Sequence, residues 1–151
     1  MKREVLSPVL VFLLAVIPRP AAAQARAVVE ESVKMETVLL PGSSPLVSFR
    51  ILFGVGSAMD PKGKEGVAAL TAALISGGGT RKLSYSEIIE AMYPMATSFT
   101  AQVDKEMTVF YGTTHRDNLE KYFSLISEML IDPGWREEDF TRVKSDALNL
   151  L

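Results

Sequence analysis

The 151-residue sequence predicts an α+β domain, with helices covering one face of a mostly antiparallel sheet. Three observations carry that expectation. Residues 97–103 and 107–111 alternate apolar with polar side chains on either side of a short polar turn, as the strands of a hairpin do. Val67, Leu70, Thr71, Leu74 and Ile75 recur at the spacing of an amphipathic helix. Strand-like and helix-like segments come in successive pairs: strand, strand, helix, helix, then the same again.

The chain opens with Lys2 and Arg3, an apolar run over residues 5–17, Pro18 and Pro20, then Ala21, Ala22, Ala23, Gln24 and Ala25. This is the layout of a secretory signal peptide, with A-x-A-like cleavage sites after Ala23 or Ala25 and a run too short to span a bilayer comfortably. Residues 1–23 are therefore expected to be removed, which makes the protein exported, periplasmic or extracellular, with a lead-in at 24–33. An uncleaved signal would instead tether the same domain to a membrane.

Loss of the signal takes Lys2, Arg3, Arg19 and Glu4, moving the formal net charge from −2 to −4. A mildly acidic chain without a basic stripe argues against nucleic acid as partner. Cysteine is absent, so neither a disulfide scaffold nor a thiolate metal site is available. Stability must come from burial, for which a 48% apolar fraction suffices.

Element by element, residues 34–40 predict a first strand through Val38, Leu39 and Leu40, and Pro41, Gly42 and Pro45 mark the turn after it. Residues 46–55 predict a strand with one buried face, and Gly54 and Gly56 a bend where it leaves the sheet. The first helix ends at Gly77-Gly78-Gly79. Ser84 and Glu87 form a capping box, with Leu83 and Ile88 as a hydrophobic staple and Tyr85, Ile88, Ile89 and Met92 as the buried stripe.

Beyond the hairpin, which places Met107, Val109 and Tyr111 on one face, Leu119, Tyr122, Phe123, Ile126 and Leu130 give a third helical stripe. Thr114 is its expected cap, with Asp117 three residues on. Asp132-Pro133-Gly134 stops that helix, and Glu137, Glu138 and Asp139 suit the positive end of the next. The last stripe, Phe140, Val143, Ala147, Leu150 and Leu151, carries no stop signal and suggests a domain incomplete at its C-terminus.

The stretch from Gly56-Ser57-Ala58-Met59-Asp60-Pro61 through Gly63, Gly66, Val67 and Ala68, followed by a helix and Gly79-Thr80, resembles the start of the insulinase/pitrilysin peptidase family, to which the mitochondrial processing peptidase belongs. The resemblance continues through Asp132-Pro133-Gly134-Trp135-Arg136 and the acidic helix start, and covers nearly all of residues 34–151. It implies the N-terminal domain of such a protein and the family's metallohydrolase fold.

Active members of that family carry an inverted H-x-x-E-H zinc motif on the first helix, two histidines holding the metal and a glutamate deprotonating water. The matching positions here are Ala69, Ala72 and Ala73, and the place of a third, later ligand falls at Asn149 and Leu150. Alanine offers no lone pair and accepts no proton, so the resemblance implies a degenerate site with no metal of its own. Zinc is expected only in a catalytic partner, either a homologous subunit or a second half of the same protein.

The resemblance thus implies a non-catalytic half that helps form the chamber and bind peptide. Two alternatives stand beside it: a structural or assembly subunit of the same fold, and an active zinc peptidase with ligands outside this piece. Gly77, Gly78 and Gly79 are candidates for a minor part in substrate handling. They follow a helix and no Lys-Ser/Thr pair comes next, so they are not a phosphate loop. His115, the single histidine, reads as a solvated or capping residue rather than a metal ligand with Asp104, Glu106 or Asp117.

Overall fold

The computed structural model describes residues 35–149. The expected signal peptide, the lead-in at 24–33, Lys34, Leu150 and Leu151 lie outside them. Residues 35–40 adopt no regular secondary structure, so the strand expected at 34–40 is not formed over the part described. Apolar composition alone does not make a strand, because a ladder partner must supply the hydrogen bonds.

From Pro41 onward the elements are β1 (Leu46–Phe53), α1 (Val67–Gly77), α2 (Tyr85–Met92), β2 (Ser98–Val103), β3 (Thr108–His115), α3 (Leu119–Ile131) and α4 (Glu137–Leu148), with short 3-10 turns between some of them. The sheet order is β1-β3-β2, antiparallel throughout. β3 therefore lies in the middle, and the hairpin expected from the alternating runs is present as β2 and β3.

One face of the sheet meets the helices. Phe49, Phe99 and Phe110 from the three strands pack with Ile88 and Met92 of α2, Tyr122, Ile126 and Met129 of α3, and Ala72 of α1. Phe99 and Phe110 stack at 5.7 Å between centroids, and Phe53 meets Phe110 edge-on at the same distance. Such offset and T-shaped contacts add to the area the rings remove from water.

In the middle strand Gly112 sits between Phe49 and Phe99 in the register. A side chain there would strike the Tyr122 hydroxyl and come within 2.5 Å of the Ser98 carbonyl. The bare backbone lets the buried phenol pass between the two rings and donate to Ser98 O at 2.6 Å. Burial raises the pKa of that phenol above its ordinary value.

The other face of the sheet carries no helix among the described residues. It presents Ser48, Thr113 and Ser98 in one row, and Arg50, Tyr111 and Thr100 in the next.

The structure shifts several faces from their expected places. On β3 the core side is Thr108, Phe110, Gly112 and Thr114, not Met107, Val109 and Tyr111, because Phe110 alone faces both Phe53 and Phe99. On α3 the buried residues are Tyr122, Leu125, Ile126 and Met129, while Leu119 and Phe123 point outward. That helix is apolar around most of its girth, so two stripes fit its sequence. Ile89 is exposed on α2. On α1 the buried positions are Ala72 and Leu74, with Val67 and Thr71 outside. Thr114 does not cap α3: it is buried on the strand, and His115 caps the intervening turn by accepting from Asp117 N–H at 3.3 Å.

Candidate functional site

Helix α1, which carries Ala69, Ala72 and Ala73, is held at its start by a carboxylate from the preceding loop. Asp60 accepts Gly66 N–H at 2.6 Å through Oδ2 and Ala68 N–H at 2.8 Å through Oδ1. These are amide groups that the first turn of a helix leaves without internal partners. Gly66 adopts φ +97°, a left-handed conformation in which a Cβ would be strained. In the same loop Glu65 accepts Gly63 N–H at 2.9 Å, and this backbone hydrogen bond lowers its pKa.

Before it, the end of β1 is fastened to the hairpin turn. Ser57 N–H donates to Asp104 O and Ala58 N–H to Lys105 O, both at 2.9 Å. A Cβ at Gly56 would strike these two carbonyls. The glycine expected to mark a bend is required here by close backbone approach.

The far end of α1 runs into Gly77-Gly78-Gly79-Thr80, which the structure ties down by tertiary contacts. Gly79 N–H donates to Asp139 Oδ2 at 2.9 Å, and Asp139 is 5% exposed. Arg142, one turn along α4, pairs with Asp139 at 3.0 Å, donates to Gly77 O, and lies 4.1 Å from the centroid of Tyr85. Gly134 N–H donates to Gly79 O at 2.8 Å, and Arg136 reaches Leu83 O at 2.9 Å. Thr80, fully buried, accepts from Leu83 N–H and donates to Glu128 at 2.8 Å.

Gly78 and Gly79 are thus buried backbone at a junction of α1, α2 and α4, and a Cβ at Gly79 would strike the Arg136 guanidinium. Thr80 and Arg136 stood out in the sequence only as part of the family resemblance, not for these bonds, and Arg142 did not stand out at all. The acidic start of α4 did, as a match to the helix dipole, yet one of its three acids is a buried link.

Between these anchors, Ala72 is 3% exposed and belongs to the core, Ala73 is half-buried, and Ala69 is exposed one turn before it. Ala69 and Ala73, at i and i+4, share one side of the helix. Helix α1 packs against β2 and α4. Asn149 stands exposed at the C-terminal cap of α4. His115 and the pair Asp104 and Glu106 are at opposite ends of β3, about 24 Å apart along an extended strand.

A catalytic zinc takes about three protein donors from His, Asp, Glu or Cys and leaves a position open for water. Three methyl groups and an amide do not fit it. Among the described residues, no three His, Cys, Asp or Glu side chains converge where they could hold a metal ion.

The described chain is an antiparallel sheet backed by helices, with α1 packed against outer strand β2 and Ala69 on its exposed side. The sequence model of the insulinase family, peptidase family M16, matches residues 37–149, and the chain belongs to that family.

Among solved structures, a peptidase M16 inactive domain from Pseudomonas fluorescens is similar at TM-score 0.64 and 24% identity, over 71% of this chain and 26% of that one. A protease from Helicobacter pylori is similar at TM-score 0.60 and 21% identity, over 68% and 25%. This chain therefore spans about a quarter of the length of either. No curated protein matches it.

Proposed function

We propose that this chain is a non-catalytic half of an exported insulinase-type peptidase, which encloses and grips peptide while a zinc-bearing homologous subunit, or a second half of the same protein, cleaves it. The observation that carries this is the pairing of a firmly held helix with side chains that cannot bind metal: Ala69, Ala72 and Ala73 occupy a helix whose two ends are both anchored.

Outer strand β2 supports the gripping role. It pairs only with β3 among the described residues, and α1 packs beside it. An extended peptide adding to that edge would be held through its own backbone groups, with little dependence on sequence. The glycine junction serves the grip indirectly, by fixing the helix against which the peptide lies.

The test is reconstitution with a zinc-bearing member of the family from the same organism. Cleavage of an extended peptide is expected to exceed that of the zinc-bearing protein alone, and no increase would remove the proposal's main support. Purified by itself, the chain is expected to show no chelator-sensitive cleavage. Stoichiometric zinc bound to it would count decisively the other way.

A further inference from the structure

The sheet face turned away from the helices has a chemistry of its own. In one row Ser48 and Thr113 join hydroxyls at 2.8 Å, with Ser98 beside them. In the next, the guanidinium carbon of Arg50 stands 5.5 Å from the centroid of the Tyr111 ring, with Thr100 on the far side. Arg50 belongs to an outer strand, yet its charged end lies over the middle one. Stacking on a ring orders the planar guanidinium while leaving its edge N–H donors free, and a carboxylate matches that fork in two parallel hydrogen bonds. Among the described residues no carboxylate pairs with Arg50.

We propose that this face takes an acidic side chain of an extended polypeptide, with Arg50 as the partner of the carboxylate and the hydroxyls of Thr100 and Thr113 beside it. The inference rests on the peptide-gripping function above and names the class of side chain gripped. Charge complementarity selects the occupant: Arg50 is the cation these rows carry, in a chain whose formal net charge is −2, so an acidic residue finds its attractive contact here. One cation is too few for a polyanion such as nucleic acid, which needs a basic stripe.

The experiment uses the full chain and two labelled extended peptides, identical except for one Glu in the first and Gln in the second, titrated by fluorescence anisotropy at low salt. The Glu peptide is expected to bind about fivefold more tightly, the scale of a solvent-facing ion pair with good geometry. Arg50→Gln should erase that ratio and leave the Gln peptide's affinity unchanged, while Arg50→Lys should keep part of it. Far-UV circular dichroism confirms that each variant is folded. Equal affinities for the wild type, or a Glu preference that survives Arg50→Gln, would overturn the carboxylate site and leave peptide gripping intact. Binding of neither peptide would overturn both.

Discussion

The same three strands present two faces built on different rules. Towards the helices, Phe49, Gly112 and Phe99 form a row in which the glycine is as necessary as the rings, since only its bare backbone admits Tyr122. Towards the other side, Ser48, Thr113 and Ser98 form a row in which any small polar residue would fit sterically. The covered face is constrained by volume and the open face by chemistry. Of the three alanines of α1, Ala72 falls under the first set of constraints and Ala69, exposed to solvent, under neither.

The largest effect should come from filling the gap on the covered face. Gly112→Ala places a methyl against the Tyr122 hydroxyl and the Ser98 carbonyl, neither of which can withdraw freely, and should cost about 3 kcal/mol of unfolding free energy by urea titration. A loss below about 0.5 kcal/mol would mean that the packing there is looser than described.

Next is the junction that holds α1 from the helix side. Asp139→Ala strips the acceptor from Gly79 N–H and the partner from Arg142, and should cost about 2 kcal/mol while exposing the Gly-Gly-Gly-Thr loop to faster amide exchange. Unchanged exchange at Gly79 would show that Asp139 does not hold it.

A smaller loss, about 1 kcal/mol, is expected for Tyr122→Phe, which removes the bond to Ser98 O. This substitution also sharpens the contrast through pH. The folded phenol has a raised pKa, so its contribution is complete below the unfolded value near 10.0 and is lost as pH rises through the folded one. The wild type should therefore lose stability in that alkaline window more steeply than Tyr122→Phe, and parallel curves would contradict the burial argument. The smallest effect belongs to the open face: Thr100→Ala should change stability by less than about 0.5 kcal/mol.

Much of this was legible from sequence where local physics decides. The Ser84 and Glu87 capping box is present with both reciprocal bonds, and the hairpin, the first helix and its glycine stop fall where periodicity and turn chemistry put them. What failed depends on partners distant in the chain. In Thr108-Val109-Phe110-Tyr111 both faces are apolar enough to be buried, and only Phe53 and Phe99 decide between them. The α3 surface offered two stripes, and contact with the sheet chose the one through Leu125 and Met129.

The placement of Ala69, Ala72 and Ala73 together on the first helix was legible in the sequence, and the support of that helix was not. That the helix bearing them is secured by Asp60 at one end and by Asp139 with Arg142 at the other could not be read from spacing. The Asp60 bonds join a loop side chain to backbone 6 and 8 positions on, and those of Asp139 and Arg142 span 60 and 65 positions; neither kind leaves a periodic trace.

Those two fastenings have an implication for how such a scaffold can change. Neither Asp60 nor Asp139 lies at a position where the family carries its zinc, so the seat of the helix was never entrusted to a bound ion. Its outward side, where Ala69 and Thr71 stand exposed, can therefore drift in sequence without loosening the rest.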